Sequence, residues 1–332
     1  MRYERCQPSD TKNLVTLNTN MKIAYRNFIY EAVSVTDTPA FKAWFGNSKV
    51  VDDDGDPLNV YHGTTGNFEV FDLKKTYKDS YVGRGFYFTS EPHDASKNYA
   101  GLGPDAQRKV DDTVEEWERI EDLEELANTV GVDLDQVEES DSNGTLRDLL
   151  KTKAEAVIVG DNPAPNVMPV YLKIENPFYV GDKFKQYFDY SVPFDEETEE
   201  EGEPEGEGAK LLDALLYELN ELEYIDSDKV YGDIVESLEP YDGEFTSTEF
   251  FNAIKEPSDL IDAYYREDQN YIGEFVKRII LRGGFDGIIM DASVFSNMEG
   301  ARYANHYIVY NPNQIKSIHN RNPTTDPNIT KE

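Results

Sequence analysis

The chain has 332 residues, with 66 acids against 32 bases for a formal charge of −34, four histidines and one cysteine. That length allows one or two domains with a proper core, and 22 Tyr with 17 Phe supply packing that a hydrophobic share of 39% would understate. No run of about 18 apolar residues occurs, which excludes a spanning helix; lone Cys6 excludes a disulfide framework, scattered histidines argue against zinc, and the acidity disfavours direct nucleic-acid binding.

Residues 1–36 read as a detachable extension. No charged–apolar–small leader opens them, so a soluble cytoplasmic protein without membrane contact is expected. Residues 1–20 are polar and aperiodic; residues 21–32 are a short amphipathic stretch, with Ile23, Phe28 and Ile29 among Lys22, Arg26 and Glu31. The stretch reads either as a frayed helix or as a processing site. In the second reading, Ile29-Tyr30-Glu31 before Ala32 resembles the prohead-protease cleavage sequence of large tailed phages, whose bearers are packaged in the capsid and ejected with the genome.

From Thr38 the sequence is locally decisive. Thr38-Pro39 supplies N-cap and N1 of a short helix with Phe41, Trp44 and Phe45 on one face. Residues 52–57 (DDDGDP) form a turn, 58–62 alternate as a strand, 86–89 are a second strand, and 91–100 predict a helix started near Ser90. Residues 103–165 are acidic and helix-periodic (Val114, Trp117, Ile120, Leu123, Leu126), without strand signal. Residues 167–174 return to a strand, closed by Asn176-Pro177.

Residues 183–275 hold 28 of the 66 acids against six bases. Within them 196–208 (EETEEEGEPEGEG) cannot build a core and is expected as a disordered, solvated loop. Around it Leu212, Leu215, Leu216, Leu219 and Leu222 form a stripe suited to core packing. Ile272, Phe275, Val276, Ile279 and Ile280 make the next stripe, stopped at Gly283-Gly284. Residues 285–290 and 307–310 predict two apolar strands, and 322–332 a tail. The result is an α+β chain whose small β-rich domain is interrupted twice by acidic helical segments.

Few segments suggest chemistry singly. Gly83-Arg84-Gly85 lacks the third glycine and following helix of a dinucleotide fingerprint, and no Walker lysine loop exists. Residues 52–56 match half a calcium loop, without the closing Glu; no metal is expected. His62-Gly63-Thr64 stands where a strand meets a turn, a common place for a structural histidine. Tyr87 and Tyr99 alone would be core aromatics.

In order, however, four segments resemble the ADP-ribosyltransferase fold, in its diphtheria-toxin and poly(ADP-ribose)-polymerase branch. They are Tyr61-His62-Gly63-Thr64, Gly83-Arg84-Gly85-Phe86-Tyr87-Phe88, Ser96-Lys97-Asn98-Tyr99-Ala100 and Asn305-His306-Tyr307-Ile308-Val309-Tyr310. The fragments FKAWFG (41–46), YLKIENP (171–177), FDGI (285–288) and NPNQIKS (311–317) resemble the transferase modules of phage and mobile-element polyvalent proteins. The resemblance covers 38–102, 167–180 and 270–321. It implies a split β-sheet core made of 37–102 (the NAD-binding half), 166–182 and 270–321, with two acidic, mainly helical insertions, 103–165 and 183–269.

The resemblance also implies NAD as co-substrate, bound without a glycine-rich phosphate loop. His62 would hydrogen-bond the adenosine ribose through a neutral ring whose tautomer its neighbours fix. Gly63 would let the backbone approach the nicotinamide amide, beside Thr64. Tyr87 and Tyr99 would sandwich the nicotinamide ring. Ser96, three residues before Tyr99 on the same helical face, would bond the carboxamide, and Arg84 is placed for the pyrophosphate or for solvent.

Position 306 departs from the pattern: polymerase-type relatives carry a glutamate where this chain has His306. Cleavage passes through an oxocarbenium-like ribose that a carboxylate stabilises, and losing one such group costs about 100- to 1000-fold in rate. Three outcomes stay open: transfer of one ADP-ribose, rescue by Glu299 from the preceding loop, or NAD binding without turnover. Polymer synthesis is disfavoured in each. Ala304 and His306 also stand where arginine-modifying relatives carry Glu-x-Glu, so the acceptor residue stays open. The plain reading of His306 is a surface histidine at a strand end; His93 and His319 look incidental.

The function expected is therefore an NAD-dependent mono-ADP-ribosyltransferase, a phage-encoded effector in the host cytoplasm that modifies a host protein rather than nucleic acid and releases nicotinamide. The alternatives are a silent NAD- or ADP-ribose-binding protein, an acidic decoy of nucleic acid, and an NAD glycohydrolase. The acidic insertions serve either solubility and shielding or docking onto a basic partner.

Overall fold

The computed structural model describes residues 34–77, 80–101, 103–160, 165–195, 200–202, 204–222, 225–238, 243–255, 272–295, 301 and 303–332. The expected processing site at Glu31, the stretch 21–32 and Glu299 lie outside the described residues. No described helix is long and apolar enough to cross a membrane.

Seven strands build one mixed sheet: β1 (Val60–Thr64), β2 (Phe86–Thr89), β3 (Asn166–Leu172), β4 (Pro177–Val180), β9 (Gly287–Met290), β10 (His306–Val309) and β11 (Ile315–Ser317), in the order β11-β3-β1-β2-β10-β9-β4. Two small ribbons accompany it, β5 (Tyr187–Asp189) with β8 (Glu244–Thr246) and β6 (Phe194–Asp195) with β7 (Glu200–Glu201). Among the described strands only β4 and β9 run parallel. The β1–β3 and β2–β10 pairs hold five and four residue pairs in register. Between β1 and β2 only Tyr61↔Thr89 is paired. The sheet is thus split there, into β11-β3-β1 and β2-β10-β9-β4, as the resemblance implies.

Alternation along the strands fills both faces. Phe86, Phe88, Tyr307, Val309, Val60, Val170 and Leu172 form one core cluster, while Phe178, Val180, Ile288, Met290 and Ile308 join another on the opposite side. Burial on two faces explains why 287–290 and 307–310 read as unbroken apolar runs.

Among the described residues the longer helices are α1 (Pro39–Phe45), α2 (Pro104–Trp117), α3 (Leu123–Val130), α4 (Leu134–Ser142), α5 (Leu146–Val159), α6 (Glu207–Asn220), α7 (Ser227–Leu238), α8 (Ser247–Ala253) and α9 (Ile272–Arg282). Thr38 caps α1 by accepting from the Phe41 N–H, with Pro39 at N1. Helices α2–α5 close around their own core of Val110, Val114, Trp117, Leu126, Val137 and Leu150. Helices α6–α9 instead press Leu212, Leu215, Leu219, Phe250, Phe275 and Ile279 onto the sheet face carrying Ile288 and Ile308.

Several local expectations shift. The strand expected at 58–62 lies at β1, because Leu58 still belongs to the turn, its N–H bonded to the Val50 carbonyl. Asn176-Pro177 does not merely end β3. It opens β4, since the Asp286 carboxylate accepts the N–H groups of Glu175 and Asn176 and turns the chain back into the sheet. Within 196–208, expected as loop, Glu200–Glu201 form β7 and α6 begins at Glu207, with Gly208 buried beneath Phe245. The tail is docked: Ile329 is 3% exposed and exchanges backbone bonds with Glu69 and Ser317. Buried Lys316 donates to the carbonyls of Asp326 and Asn328.

Candidate active site at the sheet split

Where β1 and β2 part, a side chain replaces the missing ladder. His62, half-buried on β1, places Nδ1 2.8 Å from the Tyr87 carbonyl oxygen. A carbonyl only accepts, so Nδ1 carries the proton and Nε2 holds the acceptor lone pair of the neutral ring. Phe71, Phe88 and Phe68 surround the imidazole at 5.1, 5.4 and 6.1 Å between ring centres. The tautomer of the neutral ring is therefore set by the fold.

Tyr87 points to the other face, half-buried against the α6–α9 layer. Its hydroxyl donates to Gly83 O at 2.8 Å and accepts from Val82 N–H at 3.2 Å, which fastens the 80–85 loop. The two glycines of that loop serve packing. A Cβ at Gly83, where φ is +78°, would meet the Gly273 carbonyl at 2.8 Å, and one at Gly85 would meet the Tyr310 ring at 2.9 Å. Arg84 between them is exposed, and its backbone N–H donates to the Glu274 carboxylate.

The helix expected over 91–100 is short and irregular. One turn, Pro92–Asp94, follows Glu91 rather than Ser90 and widens into a π-turn, Ala95–Tyr99. Ser90 serves elsewhere, its hydroxyl accepting the Asn305 N–H. Because π hydrogen bonds run from i to i+5, Ser96 does not share a face with Tyr99. Ser96 is exposed while Tyr99 is half-buried. The turn lies directly on β1: a Cβ at Gly63 would stand 2.7 Å from Tyr99 Cβ and collide with the Ala95 carbonyl. The close approach that requires glycine at 63 is thus made by the protein itself. Thr64 is half-buried and its hydroxyl accepts the Gly66 N–H at 3.2 Å.

His306 is not a surface residue. It starts β10 in the middle of the sheet, 4% exposed, with Phe295 edge-on at 4.5 Å. Its Nε2 lies 3.3 Å from the Tyr99 hydroxyl and 3.1 Å from Asp94 Oδ2, and Asp94 is 0% exposed. Asn98 donates to Asp94 Oδ1 at 2.6 Å. Burial alone would raise the Asp94 carboxyl; hydrogen bonds from His306, Thr89 and Asn98 outweigh it and hold the group below the usual carboxylate range. Sequence reasoning missed Asp94. Its signal was an acid on the inward side of a short helical segment whose other inward residues are Ala95 and Asn98.

A second titratable group stands nearby. Burial pushes the Lys255 amine down to about 7, and its Nζ sits 3.2 Å from the Tyr81 ring centre. Tyr81 packs on Phe295, the ring that touches His306. A cavity of about 600 Å³ lined by Asp182, Phe184, Lys185, Glu244 and Glu249 lies in the acidic region, and none of the motif residues lines it.

The structure thus joins His62 to Tyr87, Gly63 to Tyr99, and Tyr99 to His306, while Arg84 and Ser96 stay on the surface. A family model described as ADP-ribosyltransferase in polyvalent proteins matches residues 52–122 and 150–325. The unmatched stretch between them is α3, α4 and the first turn of α5. No curated protein and no solved structure matches.

Proposed function

The chain belongs to the ADP-ribosyltransferase family of polyvalent proteins, and from that premise we propose that it transfers a single ADP-ribose from NAD to a host protein and releases nicotinamide. The observation that carries this reading is the convergence of separate motif segments on the sheet split, through the His62–Tyr87, Gly63–Tyr99 and Tyr99–His306 contacts. In the reaction the bond from ribose C1′ to the nicotinamide nitrogen breaks, its electron pair leaving with nicotinamide. C1′ bonds to the acceptor atom, whose proton is lost.

The residues present suit that substrate. His62, oriented by its bond to the Tyr87 carbonyl, hydrogen-bonds the adenosine ribose. Tyr87 and Tyr99 flank the nicotinamide ring, each aromatic contact adding about 0.5–1.5 kcal/mol beyond burial. Gly63 keeps the Tyr99 turn tight on β1. Thr64 supports the turn beside His62, and exposed Arg84 and Ser96 are left for the pyrophosphate and carboxamide. One unit is transferred because position 306 lacks the glutamate on which elongation relies. The acidity of 183–275 favours an acceptor with a basic surface. Ile29-Tyr30-Glu31 favours a phage effector, trimmed after Glu31 and delivered from the virion to the host cytoplasm.

Labelled NAD incubated with a bacterial lysate tests the proposal. Label on protease-sensitive material, lost in Tyr87→Ala, is the expected result; nuclease-sensitive label would move the acceptor to nucleic acid. The burial of His306 favours a second reading, NAD hydrolysis or silent binding. Nicotinamide release without label would establish hydrolysis, and neither signal would leave binding alone.

A further inference from the structure

We propose that Asp94 is a positioning residue for the transfer, and that the Asp94–His306 pair divides between two side chains the work of the glutamate missing at position 306. The inference rests on the transferase reading above. Near His306 Nε2 stand a carboxylate oxygen at 3.1 Å and the Tyr99 hydroxyl at 3.3 Å. The carboxylate can only accept, whereas the hydroxyl can accept as well as donate. In the neutral ring the proton therefore belongs on Nε2, and the lone pair on Nδ1.

His306 Nδ1 is buried and has no hydrogen-bond partner among the described residues. An orphaned acceptor in a core is costly unless something donates to it. At this position the donor that fits is a hydroxyl of the substrate ribose. Nδ1 then supplies the hydrogen bond, and Asp94, one imidazole ring further back, supplies the negative charge. With a neutral ring the pair keeps a net charge of the sign that an oxocarbenium-like ribose needs. Burial of both side chains away from water lets that charge act across the extra distance.

The arrangement predicts a reversal of sign. Asp94→Asn turns an amide N–H toward His306 and shifts the ring to the Nδ1–H tautomer, so kcat for nicotinamide release falls about 100-fold with little change in KM for NAD. His306→Glu alone sets two carboxylates against each other in the core and is also slow. Combining the two substitutions relieves the repulsion and recovers activity above either single variant. A purely structural role for Asp94 would make Asp94→Asn harmful in both backgrounds.

The tautomer is read independently of turnover, by nitrogen-15 spectra of labelled histidine in the unreacted full chain. Nε2–H at His306 in the wild type, and its loss in Asp94→Asn, is expected. Nδ1–H in the wild type, undiminished kcat in Asp94→Asn, or no recovery in the folded double variant would overturn the proposal. An inactive wild type would instead sink the transferase reading.

Discussion

The two acidic stretches of the chain look alike in composition and behave differently in space. Residues 104–159 fold into four helices whose apolar faces meet one another, around Val114, Val137 and Leu150. Helices α6–α9 have no such private core: their stripes are continuous with Ile288, Met290 and Ile308 of the sheet. The family match is interrupted only in the first stretch, where it takes in α2 and most of α5 but omits 123–149, and it runs unbroken through the second. An apolar stripe reports that a helix packs, but not on what. The first stretch is an annex beside the Tyr99 turn; the second is the layer that covers one face of the sheet and sets Lys255 over Tyr81, which packs on Phe295.

The strongest way to break this comparison is deletion. Joining residue 122 to 150 through a short linker should leave a cooperative thermal transition and nicotinamide release intact, whereas removing 207–253 should abolish both. Equal damage from the two deletions would erase the distinction.

Single core substitutions sharpen it. Phe250→Ala should cost about 3–5 kcal/mol on the main unfolding transition, because Phe250 is fully buried in the cluster shared with the sheet. Leu150→Ala removes comparable packing, about 2–5 kcal/mol, but from the annex. Its loss should appear chiefly as faster amide exchange in α2–α5.

A smaller effect separates the site from both acidic layers. The Asp94 carboxyl is held below its usual range by His306, Thr89 and Asn98. Its stabilisation is full above the ordinary unfolded value of about 3.9 and fades as pH falls through the lower folded value. The Tm advantage of the wild type over Asp94→Asn should therefore hold at pH 6 and shrink below about pH 4; an advantage that grew with acid would contradict the hydrogen bonding. The mildest change is Gln at Glu196, Glu197, Glu199, Glu200 and Glu201. It should weaken acceptor labelling several-fold at low salt while leaving NAD hydrolysis untouched, and parallel loss of both would dismiss docking.

Much of the candidate site was legible because it is carried by short local patterns. His62-Gly63, Tyr87 and Tyr99 could be singled out in order, and the structure brings them to one seam. What was not legible depended on partners distant in sequence. His306 reads as a strand-end histidine until β2 and β9 close on either side of it and Asp94, 212 positions away, lies at 3.1 Å. Strands β4 and β11, four and three residues long, carry too little periodicity to announce themselves. The tail gave no hint that Ile329 would be buried or that Lys316 would be satisfied by its carbonyls.

By itself the sequence determined the elements whose signals lie within a few residues. These are the Thr38-Pro39 cap, the leucine stripe of α6, the stop at Gly283-Gly284, and the ordered motifs that identify the transferase core. Tertiary structure alone decided which stripe covers the sheet, why residue 63 must be glycine, and that the histidine at 306 is paired with a buried acid. Capping and periodicity are fixed by neighbours along the chain. Packing partners and buried charges are fixed by contacts between segments, which no local pattern encodes.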